Sequence, residues 1–283
     1  METTNKDRLL IFDLMSLVYR CHFYISGYSD KNRTKTAEEV ARDASLLFNE
    51  VKRRFASIIK EQSPTHVLVA SDGQGLGFRN AIYAEYKANR SGRPAEIVAA
   101  TKEIEKFLNE LKIIYIEIPG VEADDIIGSA CVLTKSLDIE TFIISSDKDL
   151  CQLIGGSVRL ARMVDGGKFD LYDKAAVEAK FGVGLEQLTD YMALVGDASD
   201  NIPGVTGIGP KTAAALLRDF STLENLLEKT SEIKSESTRK RVETGVEDAR
   251  LSKKLVSINS SINLGFEIEE FELNEETVGY FAK

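Results

Sequence analysis

The sequence predicts an α/β protein whose mainly parallel central sheet is flanked by helices and followed by a helical subdomain. Two observations carry this. Short apolar runs at residues 9–12, 66–70, 113–118, 141–144 and 158–160 alternate with helical periodicity, most clearly over 37–60 and 97–111. Strand and helix in alternation build a parallel sheet covered on both faces. From about residue 175 the strand-like runs stop, and 174–181, 185–195, 211–220 and 222–229 read as short helices parted by Gly-rich turns.

Each part of the chain follows from that outline. At 283 residues and 43% hydrophobic content there is ample apolar material for a core. Residues 1–174 read as the α/β domain and 175–265 as the helical subdomain, in which 231–254 is charge-rich with a helical pattern. Residues 266–283 read as an acidic C-terminal segment with weak periodicity. The longest apolar stretches are of strand length, short of the roughly 20 residues of a membrane span. The opening METTNKD lacks the basic and then apolar layout of a secretory signal, so the expectation is a soluble, cytoplasmic monomer.

Composition narrows the chemistry. Three cysteines without CxxC spacing suggest neither a disulfide framework nor a zinc site, and read as buried or incidental thiols. Two histidines leave little material for histidine acid/base catalysis, so the reactive groups are carboxylates, lysines or metals. The net charge of −9 argues against a nucleic-acid partner only if the acids are spread out. They are not.

In an open parallel sheet, an acid just after an apolar run points into the crevice at the carboxyl ends of the strands. Asp13 follows LLIF, Asp72 follows VLVAS, and Asp147 and Asp149 follow FIISS. The run 113–118 leads through Pro119 and Gly120 into Glu122, Asp124 and Asp125 at the start of a helix. Asp197 and Asp200, three residues apart after the helix ending near Val195, add a further pair. Any one of these acids reads equally as a helix cap or a solvated loop residue. Gathered together they would repel one another and raise their pKa values, and bound Mg²⁺ or Mn²⁺ is the economical remedy. Two such ions can activate a water and stabilise the leaving oxygen of a phosphodiester.

Residues 76–95 carry Arg79, Lys87, Arg90 and Arg93 against one acid, Glu85, which suits phosphate contact or a solvated basic face. Tyr83 and Tyr86 among these cations suit stacking on single-stranded bases. The Gly-rich turn with Gly204, Gly207 and Gly209, opening on Lys211 and Thr212, is either a phosphate-binding helix start or a plain turn.

These motifs, in this order, resemble the 5′-nuclease domain of bacterial DNA polymerase I and the related flap endonucleases. The resemblance rests on Phe12-Asp13, Tyr19-Arg20, Phe78-Arg79, the stretch YKANR at 86–90, GVEADD at 120–125, SDKDL at 146–150, and GDASDN at 196–201 running into 202–212. It covers about residues 8–265. It implies a PIN-like, resolvase-like sheet domain with a helical arch or clamp over about 74–100, and a helix–hairpin–helix element that grips duplex backbone. It places Asp13, Asp72, Glu122 and Asp124 around a first metal ion, Asp147, Asp149 and Asp197 around a second, and Asp125 and Asp200 in support. It brings Lys87, Arg79 and Arg20 to the scissile phosphate. It also implies K⁺ held by backbone carbonyls at Leu194, Val195, Pro203, Val205 and Ile208. Leu14 and Ser71 stand where the family usually has Gly and an aromatic residue, and neither change removes a ligand.

The basic residues Lys234, Arg239, Lys240, Arg241, Arg250, Lys253 and Lys254 extend the duplex contact or form an exposed charged helix. The activity expected is structure-specific 5′ nuclease action on 5′-tailed or flapped DNA, in replication and repair, leaving a 5′-phosphate and a 3′-hydroxyl. A non-catalytic junction-binding module and an RNA nuclease are the alternatives.

Overall fold

Strand β1 (Arg8–Asp13) is apolar on both sides, as a strand at the centre of a covered parallel sheet must be. Leu9 and Ile11 face one layer, Leu10 and Phe12 the other, and all four are fully buried. Each such side chain stabilises the fold by about 1.5–3 kcal/mol. Strand β1 pairs in parallel with β2 (His66–Ser71) on one side and β4 (Glu140–Ile144) on the other. With β3 (Ile114–Glu117), β5 (Val158–Met163) and β6 (Phe169–Tyr172), the sheet order is β3-β2-β1-β4-β5-β6. The computed structural model describes residues 7–26, 35–135, 137, 139–164 and 169–282. The first six residues, on which the expectation of no leader partly rests, lie outside that set.

Helices α1 (Leu14–Ser26), α2 (Ala37–Gln62) and α4 (Ala95–Glu110) cover the Leu10/Phe12 face. Helix α2 begins at a capping box in which the Thr36 hydroxyl accepts from Glu39 N and the Glu39 carboxylate accepts from Thr36 N. Helix α5 (Ala123–Lys135) lies on the opposite face, where its apolar side chains run on into those of α7 (Leu188–Val195), α8 (Pro210–Phe220), α9 (Leu223–Glu228) and α11 (Val246–Val256). One core therefore joins the sheet to the helical region. The change near residue 174, where α6 (Lys174–Phe181) begins, is a change of secondary structure and not a break in packing. No helix among the described residues is long and apolar enough to cross a membrane.

The structure adds detail to the expected elements and corrects one of them. Strand β6 was not anticipated: it pairs antiparallel with β5 at the sheet edge, and its four residues, FDLY, are too few for a periodic signal. The region 231–254 is two helices, α10 (Glu236–Thr244) and α11, parted at Gly245. The expected helical arch over 74–100 is only the five-residue helix α3 (Phe78–Ile82) and a set of turns, and α4 belongs to the layer covering the sheet.

The acidic, weakly periodic segment after residue 265 packs back on the sheet domain. Its Leu273 N donates to Thr65 O at 2.8 Å, the Thr277 hydroxyl donates to Leu111 O at 2.6 Å, and Phe281 is buried beside Phe55. Helix α12 (Glu275–Ala282) thus docks on α2, held by apolar contacts too widely spaced among acids to show as periodicity. All three cysteines are buried, and burial pushes the Cys21 and Cys131 thiols up to about 12 and Cys151 to about 11, which makes them inert at neutral pH.

Candidate active site

The four neighbouring strands β3, β2, β1 and β4 end at one crevice, and each delivers an acid there. Asp13 closes β1; its Oδ1 accepts from Ser16 N at 3.0 Å and its Oδ2 from the Ser145 hydroxyl at 2.7 Å. Burial raises Asp13 to about 7, against those hydrogen bonds and with the help of Asp72 and Asp147. Asp72, just past β2, accepts Ala123 N at 3.0 Å, so one of its oxygens caps the start of α5. The capping reading therefore holds for Oδ1, while Oδ2 takes no part in the cap. Asp124 in the first turn of α5 is pushed well up by burial and then by Asp147, Asp13, Asp72 and Asp149. After β4, the Asp147 carboxylate accepts Asp149 N at 2.8 Å, and burial followed by Asp147 raises Asp149 to about 7.

The cations of residues 76–95 meet the acids directly, where phosphate contact was expected. Lys87 Nζ lies 2.9 Å from Glu122 Oε2 and 3.8 Å from Asp200 Oδ2, Arg90 pairs with Asp200, and Arg93 lies 3.6 Å from Asp72. Lys148, between two acids in sequence, pairs with Asp197 at 2.7 Å. Burial works to raise Asp197, but Lys148 and Ser199 outweigh it and hold the carboxyl below its usual range. Arg20 lies half-buried on α1.

Three expected roles do not fit this arrangement. Arg79 is 3% exposed and fully engaged: Nη1 and Nη2 donate to Asp125 at 2.8 and 2.9 Å, Nε to Leu255 O at 2.8 Å, and Nη2 also to Ser257 O at 2.8 Å. Its guanidinium is a structural fork, with Nη1 also 3.4 Å from Glu122 Oε2 at the edge of the crevice. Asp125, its partner, is completely buried and also accepts Asn259 N at 2.8 Å, so it is turned away from any metal position. Tyr86 is 4% exposed, its hydroxyl donating to Glu122 at 3.1 Å, so it is no platform for a base. Tyr83 is half-buried against the same core.

Sequence reasoning passed over Ser145 and Ser16. The Ser145 hydroxyl joins Asp13 to Asp147, whose N–H donates to it at 3.0 Å, and Ser16 Oγ accepts Ser146 N at 2.8 Å. Two serines directly between a strand and its acids were the available signal.

The turn after α7 is a second candidate surface. Gly204 and Gly207 have left-handed φ of 60° and 81°, and a Cβ on Gly204 would lie 2.6 Å from Gly196 N. Asp197 and Ile202 exchange two backbone hydrogen bonds, so the acid and the turn form one unit. Gly209 caps α8 and Pro210 occupies its first turn, beside the exposed Lys211 and half-buried Thr212. The Leu194 and Val205 carbonyls each accept one backbone N–H, from Val205 and Ile208, while Val195 ends α7 and Pro203 lies in the turn. Of the basic residues further on, Arg241 donates to Gly207 O at 3.0 Å and Lys253 pairs with the buried Asp190 at 2.7 Å.

The donor set fits divalent cations in kind. Asp149 Oδ1 is buried with no hydrogen-bond donor, and an orphaned carboxylate oxygen beside three further acids suits a hard cation. Among the described residues no three acidic, histidine or cysteine side chains form a ready ligand group. Mg²⁺ retains several waters and takes only one or two carboxylates directly, so close triads are not required.

Two family models match this chain in succession: the 5′-3′ exonuclease N-terminal resolvase-like domain over residues 8–182, and the 5′-3′ exonuclease C-terminal SAM fold over residues 183–278. A 5′-3′ exonuclease of Bacillus subtilis (strain 168) is 31% identical over 270 residues, covering 94% of this chain and 88% of that protein. DNA polymerase I of Caldicellulosiruptor bescii is 36% identical over 271 residues, 95% of this chain but 31% of that protein, so the chain spans about a third of the length of that relative. Among solved structures, T5 5′-exonuclease with bound zinc has the same fold, with TM-score 0.69 and 22% identity over 97% of this chain and 96% of that one. A T5 flap endonuclease in a pseudo-enzyme-product complex with DNA and metal ions superposes with TM-score 0.68 and 21% identity, covering 98% and 100% of the two chains. With both halves matched in order, this chain belongs to the 5′-3′ exonuclease family.

Proposed function

We propose that this chain is a structure-specific 5′ nuclease that hydrolyses phosphodiesters in 5′-tailed or flapped DNA, leaving a 5′-phosphate and a 3′-hydroxyl. The observation that carries the reading is the convergence of Asp13, Asp72, Asp124, Asp147 and Asp149 on one crevice, where burial and then neighbouring acids raise Asp13, Asp124 and Asp149. Carboxylates crowded in this way gain from any cation bound among them, and hard divalent ions take oxygen ligands. Asp13, Asp124, Asp147 and Asp149 would hold two Mg²⁺ or Mn²⁺ with the free oxygen of Asp72; Glu122, Asp197 and Asp200 would join them once their Lys and Arg partners turn to phosphate. Bound there, the ions supply an attacking water of lowered pKa and stabilise the leaving oxygen.

The chain's own residues do the rest. Ser145 and Ser16 hold the Asp13 carboxylate and anchor the backbone of Ser146 and Asp147 beside it. Lys87 and Arg90, lying on acids of the crevice, would neutralise charge on a phosphate there, joined by Arg93 beside Asp72 and, as the family resemblance implies, by Arg20. The turn at Gly204, Gly207 and Gly209 with Lys211 and Thr212 would take duplex backbone without reading sequence. The second lone pairs of the Leu194 and Val205 carbonyls, with Val195, Pro203 and Ile208, would serve K⁺ there. The biological setting that suits this chemistry is flap or primer removal in replication and repair, in the cytoplasm.

The test is a labelled 5′-flap duplex with Mg²⁺, with Mn²⁺ and with excess EDTA. Cleavage is expected with either metal and none with EDTA. Equal products with and without EDTA, or none with either metal, would overturn the reading. RNA flaps run in parallel decide the sugar preference.

A further inference from the structure

Residues 83–90 bridge the crevice as a series of turns lying on the loop 197–202 of the helical region. Besides the Arg90–Asp200 ion pair, three hydrogen bonds to backbone carbonyls join the two segments. Lys87 N donates to Asp200 O at 2.9 Å, the Asn201 side-chain amide to Glu85 O at 2.7 Å, and the Asn89 side-chain amide to Ala198 O at 2.8 Å. The receiving loop is itself closed by the paired bonds between Asp197 and Ile202, so it offers a rigid seat. Two residues of the contact, Lys87 and Asn201, have left-handed φ of 55° and 58°. Asparagine visits that region readily; lysine does so only when its surroundings hold it there. What holds Lys87 is its own amide on Asp200 O, flanked two residues away on either side by the Glu85 and Asn89 bonds. From that backbone its ammonium reaches Glu122 Oε2 at 2.9 Å, inside the crevice.

We infer that the side-chain amides of Asn89 and Asn201 are positioning residues: they latch the 83–90 segment to the 197–202 loop and so fix the Lys87 ammonium over the acids. The inference rests on the nuclease reading of Lys87, because the latch acts through that residue. Neither amide touches the reacting atoms.

The experiment uses the whole chain with Asn89→Ala and Asn201→Gly combined, glycine keeping the left-handed backbone while removing the amide. Single-turnover cleavage of a 5′-flap duplex with Mg²⁺ is expected to slow about tenfold to a hundredfold, the scale on which a displacement of about 1 Å costs rate. Affinity for the same DNA, measured with Ca²⁺, is expected to stay at the wild-type value. Adding Lys87→Ala to the pair should cost no more than Lys87→Ala alone, since the latch has nothing left to position. Without metal or DNA, trypsin should cut after Lys87 and Arg90 faster than in the wild type, at an unchanged unfolding midpoint. Wild-type rates, penalties that multiply with Lys87→Ala, or unchanged trypsin cutting would each overturn the latch. A wild-type protein inert on flaps would remove the nuclease reading, while trypsin still decides the latch.

Discussion

Asp13 and Asp149 show how a carboxylate is read differently alone and in company. Each is raised from an ordinary 3.8 to about 7, first by burial and then, net of hydrogen bonds, by neighbouring acids. A raised carboxyl contributes stability in full below its unfolded value of about 3.9, and that contribution is lost as pH rises through the folded value. In EDTA the urea midpoint should therefore fall between pH 5.5 and 8, and Mg²⁺ should restore more stability at pH 8 than at 5.5. Asp197, which is lowered, acts with the opposite sign, but its contribution is lost only as pH falls below the ordinary carboxyl range, outside this window. A midpoint that rises from pH 5.5 to 8 would show that these acids are not paying for burial. The acids themselves were legible from sequence because Asp13, Asp72, Asp124, Asp147 and Asp149 each follow an apolar run within a few residues. The Ser145 bridge was not, because a hydroxyl beside an acid in sequence does not say which of several acids it faces.

Between elements, the Arg79–Asp125 pair joins α3 to α5 and, through Leu255 O and Ser257 O, to the end of α11. The first turn of α5 carries Asp124, so this pair fixes the helix from which an active-site acid projects. Removing one partner of a buried ion pair leaves the other uncompensated, at a cost of about 3–5 kcal/mol. Arg79→Ala is expected to lose that much in equilibrium unfolding. Arg79→Lys should recover little, because one ammonium cannot donate to both Asp125 oxygens and two carbonyls. Recovery to wild-type stability by lysine would show that charge alone matters. From sequence Arg79 was one more cation in a basic segment, and its neighbour Lys87 was indistinguishable from it. The difference is depth, which depends on where α11 packs, and α11 lies some 170 residues away in sequence.

Over the whole molecule, the C-terminal segment returns to the layer that covers the sheet. Phe281 is 6% exposed and lies 5.9 Å from Phe55, and Tyr280 lies 6.0 Å from Phe107. Truncating a buried phenylalanine costs about 3–5 kcal/mol. Phe281→Ala should lower the unfolding free energy by about that amount in urea, while the flap-cleavage rate of the folded protein stays unchanged, because α12 docks on α2, away from the crevice. A full-stability variant would show that α12 is not docked in solution.

The order of apolar runs was enough to predict an α/β sheet followed by helices, and the position of each acid relative to a run placed it at a strand end. These are local properties: side-chain periodicity and the length of an apolar stretch are written in consecutive residues. The folded chain alone decided that β1 lies between β2 and β4, bringing the acids to one crevice, that Arg79 and Tyr86 are buried, and that the basic segment rests on loop 197–202 through Asn89 and Asn201. Those outcomes depend on which distant surfaces meet, and the free energy of such a meeting is carried by burial and pairing between residues far apart in the sequence.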